Sequence, residues 1–347
     1  MDATLEQLDE QEPTYERRWW AHGVLSMSLI IIVGAVSSLN VTIPSLVRDL
    51  DATHTELQWI MDAYVLSFGG LLLLGGRLSD LVGAKKVFNA GWATLAVGSL
   101  VAGLAGNATT VLVGRGLQGV GAALIAPAAL TLLMMVFGGN PRELTKAMAF
   151  YGAAAPAGGT AGVFLGGVIT EYVSWPWVFH VNIPVALVAM LAAPALLPGG
   201  RTGARGSVDV LGALTVTLGL GAAVFAIVRS EEIGWSARGT WGVLGGALAL
   251  LALFTVVQAN RRDPLMPLAI FRRPNLGAAN VAQFLLGAAW IPMWFFLNLY
   301  LQQVLGYSAL DTGLAMLPAA VAIGAVSLLV SARLANRIGE RSVLVIG

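Results

Sequence analysis

Two ionisable side chains lie inside long runs that carry no other charge: Asp62, in the run 57–76, and Arg115, in the run 87–137. An ionised group within such an apolar stretch is costly to hold in lipid and is a functional candidate by default. At ~1.5 Å per residue, Asp62 lies about 9 Å along from Glu56 and Arg115 about 12 Å along from Asn107, so parallel helices would bring them to similar depth. A carboxylate there can carry a proton or hold a substrate cation, with Arg115 tuning its proton affinity. The alternatives are a permanent neutralising pair, or an Asp62 close enough to the interface to stay solvated. A second group is Trp290, Trp294 and Asn298, at i, i+4 and i+8, so that one helical face could present all three. Turned inward, that face suits flat, amphipathic or cationic organic molecules through stacking and cation–π contacts. Tyr64 and Met61 could contribute to the same cavity. Aromatic packing against lipid or neighbouring helices is the competing reading. Asp311 reads as a solvated helix cap.

Other chemistries find little support. There is no cysteine, and His22, His54 and His180 stand far apart without metal-ligand spacing. No His-Glu-x-x-His, no Gly-x-Ser-x-Gly and no intramembrane Ser/His pair is present. The net charge of +1 gives no basic face for nucleic acid. No enzyme and no cofactor is therefore expected.

The elements that position these residues are membrane helices. Hydrophobic residues make up 57% of the chain and charged residues 11%, where a soluble domain carries about 25% charge. A helix needs ~20 apolar residues to cross the bilayer and satisfies its own backbone groups, so an all-α membrane protein is expected. Ten spans are read at 20–44, 57–77, 87–105, 109–137, 147–169, 178–198, 209–228, 240–259, 277–303 and 311–332, with an eleventh beginning at Ser342. Residues 1–19 form an acidic tail without a signal peptide. Lys and Arg gather on cytoplasmic loops. A cytoplasmic N-terminus puts Arg17, Arg18, Arg77, Lys85, Lys86, Arg142, Lys146, Arg201, Arg205, Arg261, Arg262, Arg272, Arg273, Arg333, Arg337 and Arg341 inside, and only Arg48, Arg229 and Arg238 outside.

An internal repeat sets the organisation. Gly76-Arg-Leu-Ser-Asp80-Leu-Val-Gly83-Ala-Lys85 follows the second span, and Ala332-Arg-Leu-Ala-Asn336-Arg-Ile-Gly339-Glu-Arg341 follows the tenth, 256 residues later. Two bundles repeated in the same orientation are a transporter architecture. The offset starts the second near Asn275 and leaves room for two spans between. The expected domains are a six-helix bundle at 20–198, two linker spans with loops at 199–274, and the start of a C-terminal bundle at 275–347. That second bundle would be incomplete, and the 347 residues alone are not expected to complete a transport cycle.

Four stretches carry a family resemblance. The Gly76, Asp80, Gly83, Lys85 loop resembles the signature loop of the major facilitator superfamily. Arg115-Gly-Leu-Gln118-Gly119-Val-Gly121, Gly158-x-x-x-Gly162-Val163-x-x-Gly166-Gly167 and Ser174-Trp-Pro-Trp177-Val-Phe179-His-Val-Asn182-Ile-Pro184 look like motifs of its fourteen-span drug/proton antiporter branch. The resemblance implies a major facilitator fold, a conformational latch in the loop, and close helix packing through Gln118, Gly119, Gly158, Gly162, Gly166 and Gly167. Some members carry an acidic residue where Asp62 stands. Three positions depart from the pattern: Val163 replaces a proline, Ala35 falls where the branch has a first-span aspartate, and Asn336 replaces the aspartate of the second loop. The expected function is export of a hydrophobic or cationic small molecule in exchange for protons, by a monomer in the lipid bilayer of the cell inner membrane. A facilitator or symporter for another metabolite, and a truncated non-transporting membrane protein, are the alternatives.

Overall fold

The structure is a computed structural model. It describes residues 15–199, 209–273 and 276–326, with isolated positions 330, 334, 337, 342 and 343 after them. Most of the acidic tail, the loop bearing Arg201 and Arg205, the bundle boundary at Asn275, Asn336 and most of its loop, and all but the first two residues of the eleventh span lie outside the described residues.

Among the described residues the regular structure is helical throughout. The helices are α1 (Tyr15–Leu50), α2 (His54–Val82), α3 (Ala84–Gly103), α4 (Ala108–Phe137), α5 (Pro141–Tyr172), α6 (Pro176–His180), α7 (Asn182–Leu196), α8 (Val210–Ile233), α9 (Arg238–Asn260), α10 (Leu276–Leu299) and α11 (Ala309–Ala325). A 3-10 turn at Leu268–Arg272 precedes α10, and a π turn at Tyr300–Val304 follows it. Each of the first ten expected spans corresponds to a helix over its described residues, the sixth being α6 and α7 together. Eight segments among the described residues are long and apolar enough to cross a membrane. The two that fall short have physical reasons. α3 opens on Lys85 and Lys86 and carries Asn89, Thr94 and Ser99. The apolar part of α11 is short, at Leu310–Ile323, and part of the expected span lies outside the described residues.

Local chemistry starts and stops these helices. Thr53 and Glu56 form a reciprocal capping box at the head of α2. Asn107 caps α4, and Asn140 caps α5 ahead of Pro141. Ser308 caps α11, donating in turn to the Asp311 carboxylate at 2.8 Å. Between α2 and α3 the backbone reverses at Gly83, whose φ of 109° a side chain would resist.

The principal helix pairs are α3 with α4, α2 with α4, α1 with α5, α8 with α9, α5 with α11, α3 with α7, and α2 with α8. Glycines set the closeness of several. A Cβ on Gly158 would stand 2.5 Å from the carbonyl oxygen of Ile30, and one on Gly162 2.5 Å from that of Gly34. Gly91 and Gly98 of α3 meet Gly121 and Gly114 of α4 in the same way. Between them lies a core of Phe88, Trp92, Leu95, Ile125 and Leu132.

Two ends can be told apart. At one, Arg17 Nε and Lys85 Nζ bond carbonyls at the C-terminus of α7, and Arg261 pairs with Asp209 at 3.2 Å. At the other, Trp175 donates to Asp49 at 3.1 Å beside the heads of α2 and α4. The loops assigned to opposite sides of a membrane thus sit at opposite ends of the helices.

Candidate functional site

Arg115 projects from the N-terminal half of α4 into a wholly enclosed position, 1% exposed. Its Nε donates to the carbonyl of Ile60 at 3.3 Å, and its Nη1 to the carbonyl of Ala35 at 3.2 Å and to Gln118 Oε1 at 3.0 Å. The guanidinium lies 4.4 Å above the Tyr64 ring. Tyr64 donates its hydroxyl to the carbonyl of Ile32 at 2.9 Å, and Gln118 passes the chain on to Ser99 at 2.8 Å. The planar fork and the aromatic face thus satisfy a buried cation with neutral acceptors. Gly119 permits the approach, because a Cβ there would run into the backbone at Tyr64 and the side chain of Ser67.

Asp62 does not join this cluster. The face of α2 turned toward Arg115 carries Ile60 and Tyr64, one turn apart, and Asp62 lies between them on the helix at ~200° from Ile60. It is half-buried and, among the described residues, makes no hydrogen bond or ion pair. The expectation that Arg115 tunes Asp62 directly is corrected: similar depth is met, but the rotation about α2 separates them. On the same side of α2 as Asp62, Val65 and Gly69 are exposed.

The Gly76–Lys85 loop is held by contacts the sequence did not announce. Lys85 donates to the carbonyls of Pro194 and Leu197, both at 3.0 Å, and so caps the end of α7. Asp80 is half-buried on the last turn of α2. Gly76 is not the tight position, since a Cβ there would meet only Pro127 at an ordinary 3.8 Å. Gly75 is, packed on the carbonyl of Ala123. In α5, Gly158 and Gly162 seat α1, Gly166 meets Ser38, and Gly167 is buried. Val163 joins Val41 and Met316 in a small cluster between α1, α5 and α11.

The four aromatic and amide candidates divide. Tyr64 belongs to the Arg115 cluster and is closed off from any cavity, which corrects its assignment to a substrate surface. Trp294 packs against the Val41–Val163–Met316 cluster, and Asn298 is buried beside it on the same helical face. Gln302 donates to Asn298 Oδ1 at 2.8 Å, while Asn298 Nδ2 has no partner among the described residues. Trp290 meets Trp294 edge-on, with ring centroids 5.9 Å apart and its own surface open.

Comparison with known proteins decides the family. The Major Facilitator Superfamily description matches residues 25–347. The chain belongs to the Major Facilitator Superfamily. Similar curated relatives are the cephamycin export protein CmcT of Amycolatopsis lactamdurans, 38% identical over 91% of this chain and 66% of that protein, and the puromycin resistance protein pur8 of Streptomyces alboniger, 37% identical over 95% and 65%. The tetracenomycin C resistance and export protein of Streptomyces glaucescens is 33% identical over 93% and 60%. The chain therefore spans just under two thirds of the length of these relatives. Among solved structures, the POT family transporter PepTSo aligns with a TM-score of 0.58 at 15% identity, covering 96% of this chain and 71% of that one, which bears on the fold alone. Membership of the superfamily sets enzymatic readings aside.

Sequence reasoning found Arg115 and Gln118 but not Ser99, nor the use of main-chain carbonyls as Arg115's partners. It also passed over Gly91 and Gly98. Their seven-residue spacing, matched by Gly114 and Gly121, was a readable signal of one close-packed helix pair.

Proposed function

We propose that the protein is a secondary active transporter exporting a hydrophobic or cationic small molecule in exchange for protons, by alternating access. The observation that carries this is the set of relatives named for antibiotic export and resistance, similar over nine tenths of the chain. The architecture proposed with it is the fourteen-span plan: a bundle at 20–198, linker spans at 199–274 and a second bundle from 275, working as a monomer. The end carrying Arg17, Lys85 and Arg261 faces the cytoplasm of the inner membrane.

In this reading the two charged residues divide the labour. Arg115 ties α1, α2 and α4 into one unit through the carbonyls of Ala35 and Ile60, and acts by positioning. Asp62, free of any partner among the described residues and flanked by open surface, takes the proton from outside and gives it up inside. Its negative form holds a substrate cation and its neutral form lets it go. Trp290, Trp294 and Asn298 supply the aromatic and polar surface on the opposing helix, and the Gly76–Lys85 loop serves as the latch. A facilitator for another metabolite is the second reading, favoured by Ala35, whose main-chain carbonyl alone meets Arg115.

The test is uptake of puromycin, a cationic amphipath, into everted membrane vesicles with an imposed proton gradient. Asp62→Asn is expected to abolish gradient-driven uptake and leave the yield of folded protein unchanged. Uptake by that variant with the parent's pH dependence would refute proton coupling through Asp62. Gradient-independent equilibration by the parent would favour the facilitator.

A further inference from the structure

The segment joining α9 to α10, residues 261–273, reads Arg-Arg-Asp-Pro-Leu-Met-Pro-Leu-Ala-Ile-Phe-Arg-Arg. It carries four arginines and one carboxylate. Two charges are used within the fold: Arg261 pairs with Asp209 at 3.2 Å, and Asp263 lies 4.0 Å from Arg77. Arg262, Arg272 and Arg273 are exposed and have no hydrogen-bonded or ionic side-chain partner among the described residues.

Beside these cations, Ile270 and Phe271 are 43% and 48% exposed, and no residue of the Leu268–Arg272 turn is buried. In a 3-10 turn, residues three apart eclipse. Leu268 and Phe271 therefore form one ridge, while Ala269 with Arg272 and Ile270 with Arg273 form the adjacent ones. Lying flat, such a turn presents an apolar ridge to acyl chains and basic tips to phosphates.

The start of the segment is held at the ends of the spanning helices. Asp209, fully buried, accepts from Gly212 N at 2.9 Å and from Gln258 Nε2 at 2.7 Å. Gln258 Oε1 in turn accepts from Met266 N at 3.0 Å. A hydrogen-bonded brace thus fixes residues 258–266 where α8 begins and α9 ends, the level at which a bilayer surface would lie.

We propose that residues 262–273 form a contact site for an anionic phospholipid. Arg262, Arg272 and Arg273 hold the headgroup phosphate, and the Leu268–Phe271 ridge, with Ile270 beside it, enters the interfacial layer. The inference rests on the membrane-spanning reading above but not on which way the chain is inserted.

The test uses the cysteine-free chain with Ala269→Cys carrying an environment-sensitive fluorophore, in nanodiscs of phosphatidylcholine alone or mixed with phosphatidylglycerol. Both faces of a nanodisc hold the same lipid, so an inverted topology does not mimic failure. Phosphatidylglycerol is expected to deepen the probe, read as stronger quenching by spin-labelled lipid, and added salt should reverse this. Each arginine replaced by glutamine should weaken the preference by about fivefold, and Phe271→Ser should reduce quenching in both lipids. Equal quenching in the two lipids, or no effect of salt on the unsubstituted chain, overturns the proposal. Energy transfer between labelled copies in place of a lipid response would overturn it in favour of a protein–protein contact.

Discussion

α8 meets α2 over most of its length, and polar groups at that contact are used. Thr217 Oγ1 donates to the carbonyl of Gly70 at 2.9 Å, the rings of Trp59 and Phe225 meet at a tilt with centroids 5.7 Å apart, and Asp263 reaches Arg77 at the far end. Among the described residues, Arg77 Nε alone goes without a partner there. The meeting of α11 and α10 with α5 and α1 has the opposite character. Gly313 lies on Phe164 and a three-residue apolar cluster closes the seam, yet Thr312 Oγ1 and Asn298 Nδ2 are buried without partners among the described residues. A buried unpaired donor costs about 1–3 kcal/mol. One contact is thus built to stay closed, and the other gives back part of its closing energy whenever water returns. Under the proposed cycle, the linker hairpin travels with the first bundle and the Val41–Val163–Met316 seam is where the bundles part.

Cross-linking separates the two most sharply. Bridging Val163→Cys to Met316→Cys with a bifunctional thiol reagent should bring efflux to background, with recovery once a cleavable linker is cut. The same reagent between Trp59→Cys and Phe225→Cys should leave efflux near that of the unlinked variant. Equal sensitivity of the two pairs would break the distinction.

A smaller effect is expected inside the first bundle. Arg115→Ala removes three hydrogen bonds and the cover of Tyr64, and should cost about 2–5 kcal/mol, seen as a lower midpoint in thermal unfolding. Arg115→Lys should recover only part of this, because an ammonium cannot span the same acceptors.

The finest test sets two isosteric changes against each other. Thr217→Val breaks a formed bond and should destabilise by about 0.5–1.5 kcal/mol, whereas Thr312→Val removes an unpaired hydroxyl and should stabilise by about 1–3 kcal/mol. The second should also slow turnover by holding the seam shut. Thermal midpoints moving in the same direction would erase the contrast.

The spans were legible because uninterrupted apolar runs are a one-dimensional signal, and the caps at Thr53, Asn107, Asn140 and Ser308 mark their edges. Arg115 stood out by its charge. Its partners did not, since the carbonyls of Ala35 and Ile60 leave no trace in residue identity. Depth could be counted for Asp62 but azimuth could not, and two residues along a helix turn a neighbour into a stranger. The loop motif pointed to Gly76 although the close approach is made at Gly75, because a motif records residue type and not which side faces the next helix. Trp294 and Asn298, by contrast, were placed on one face by spacing alone, and that face is the one packed at the seam.

α1 is gripped from two sides. Tyr64 and Arg115 hold the carbonyls of Ile32 and Ala35, while Gly158 and Gly162 receive Ile30 and Gly34. A slip of one residue along its axis, ~1.5 Å with a turn of ~100°, would unseat both carbonyls and drive side chains into the glycine notches. The helix is therefore keyed like a shaft in its hub. It can tilt with its neighbours, but it cannot screw past them without giving up both sets of contacts.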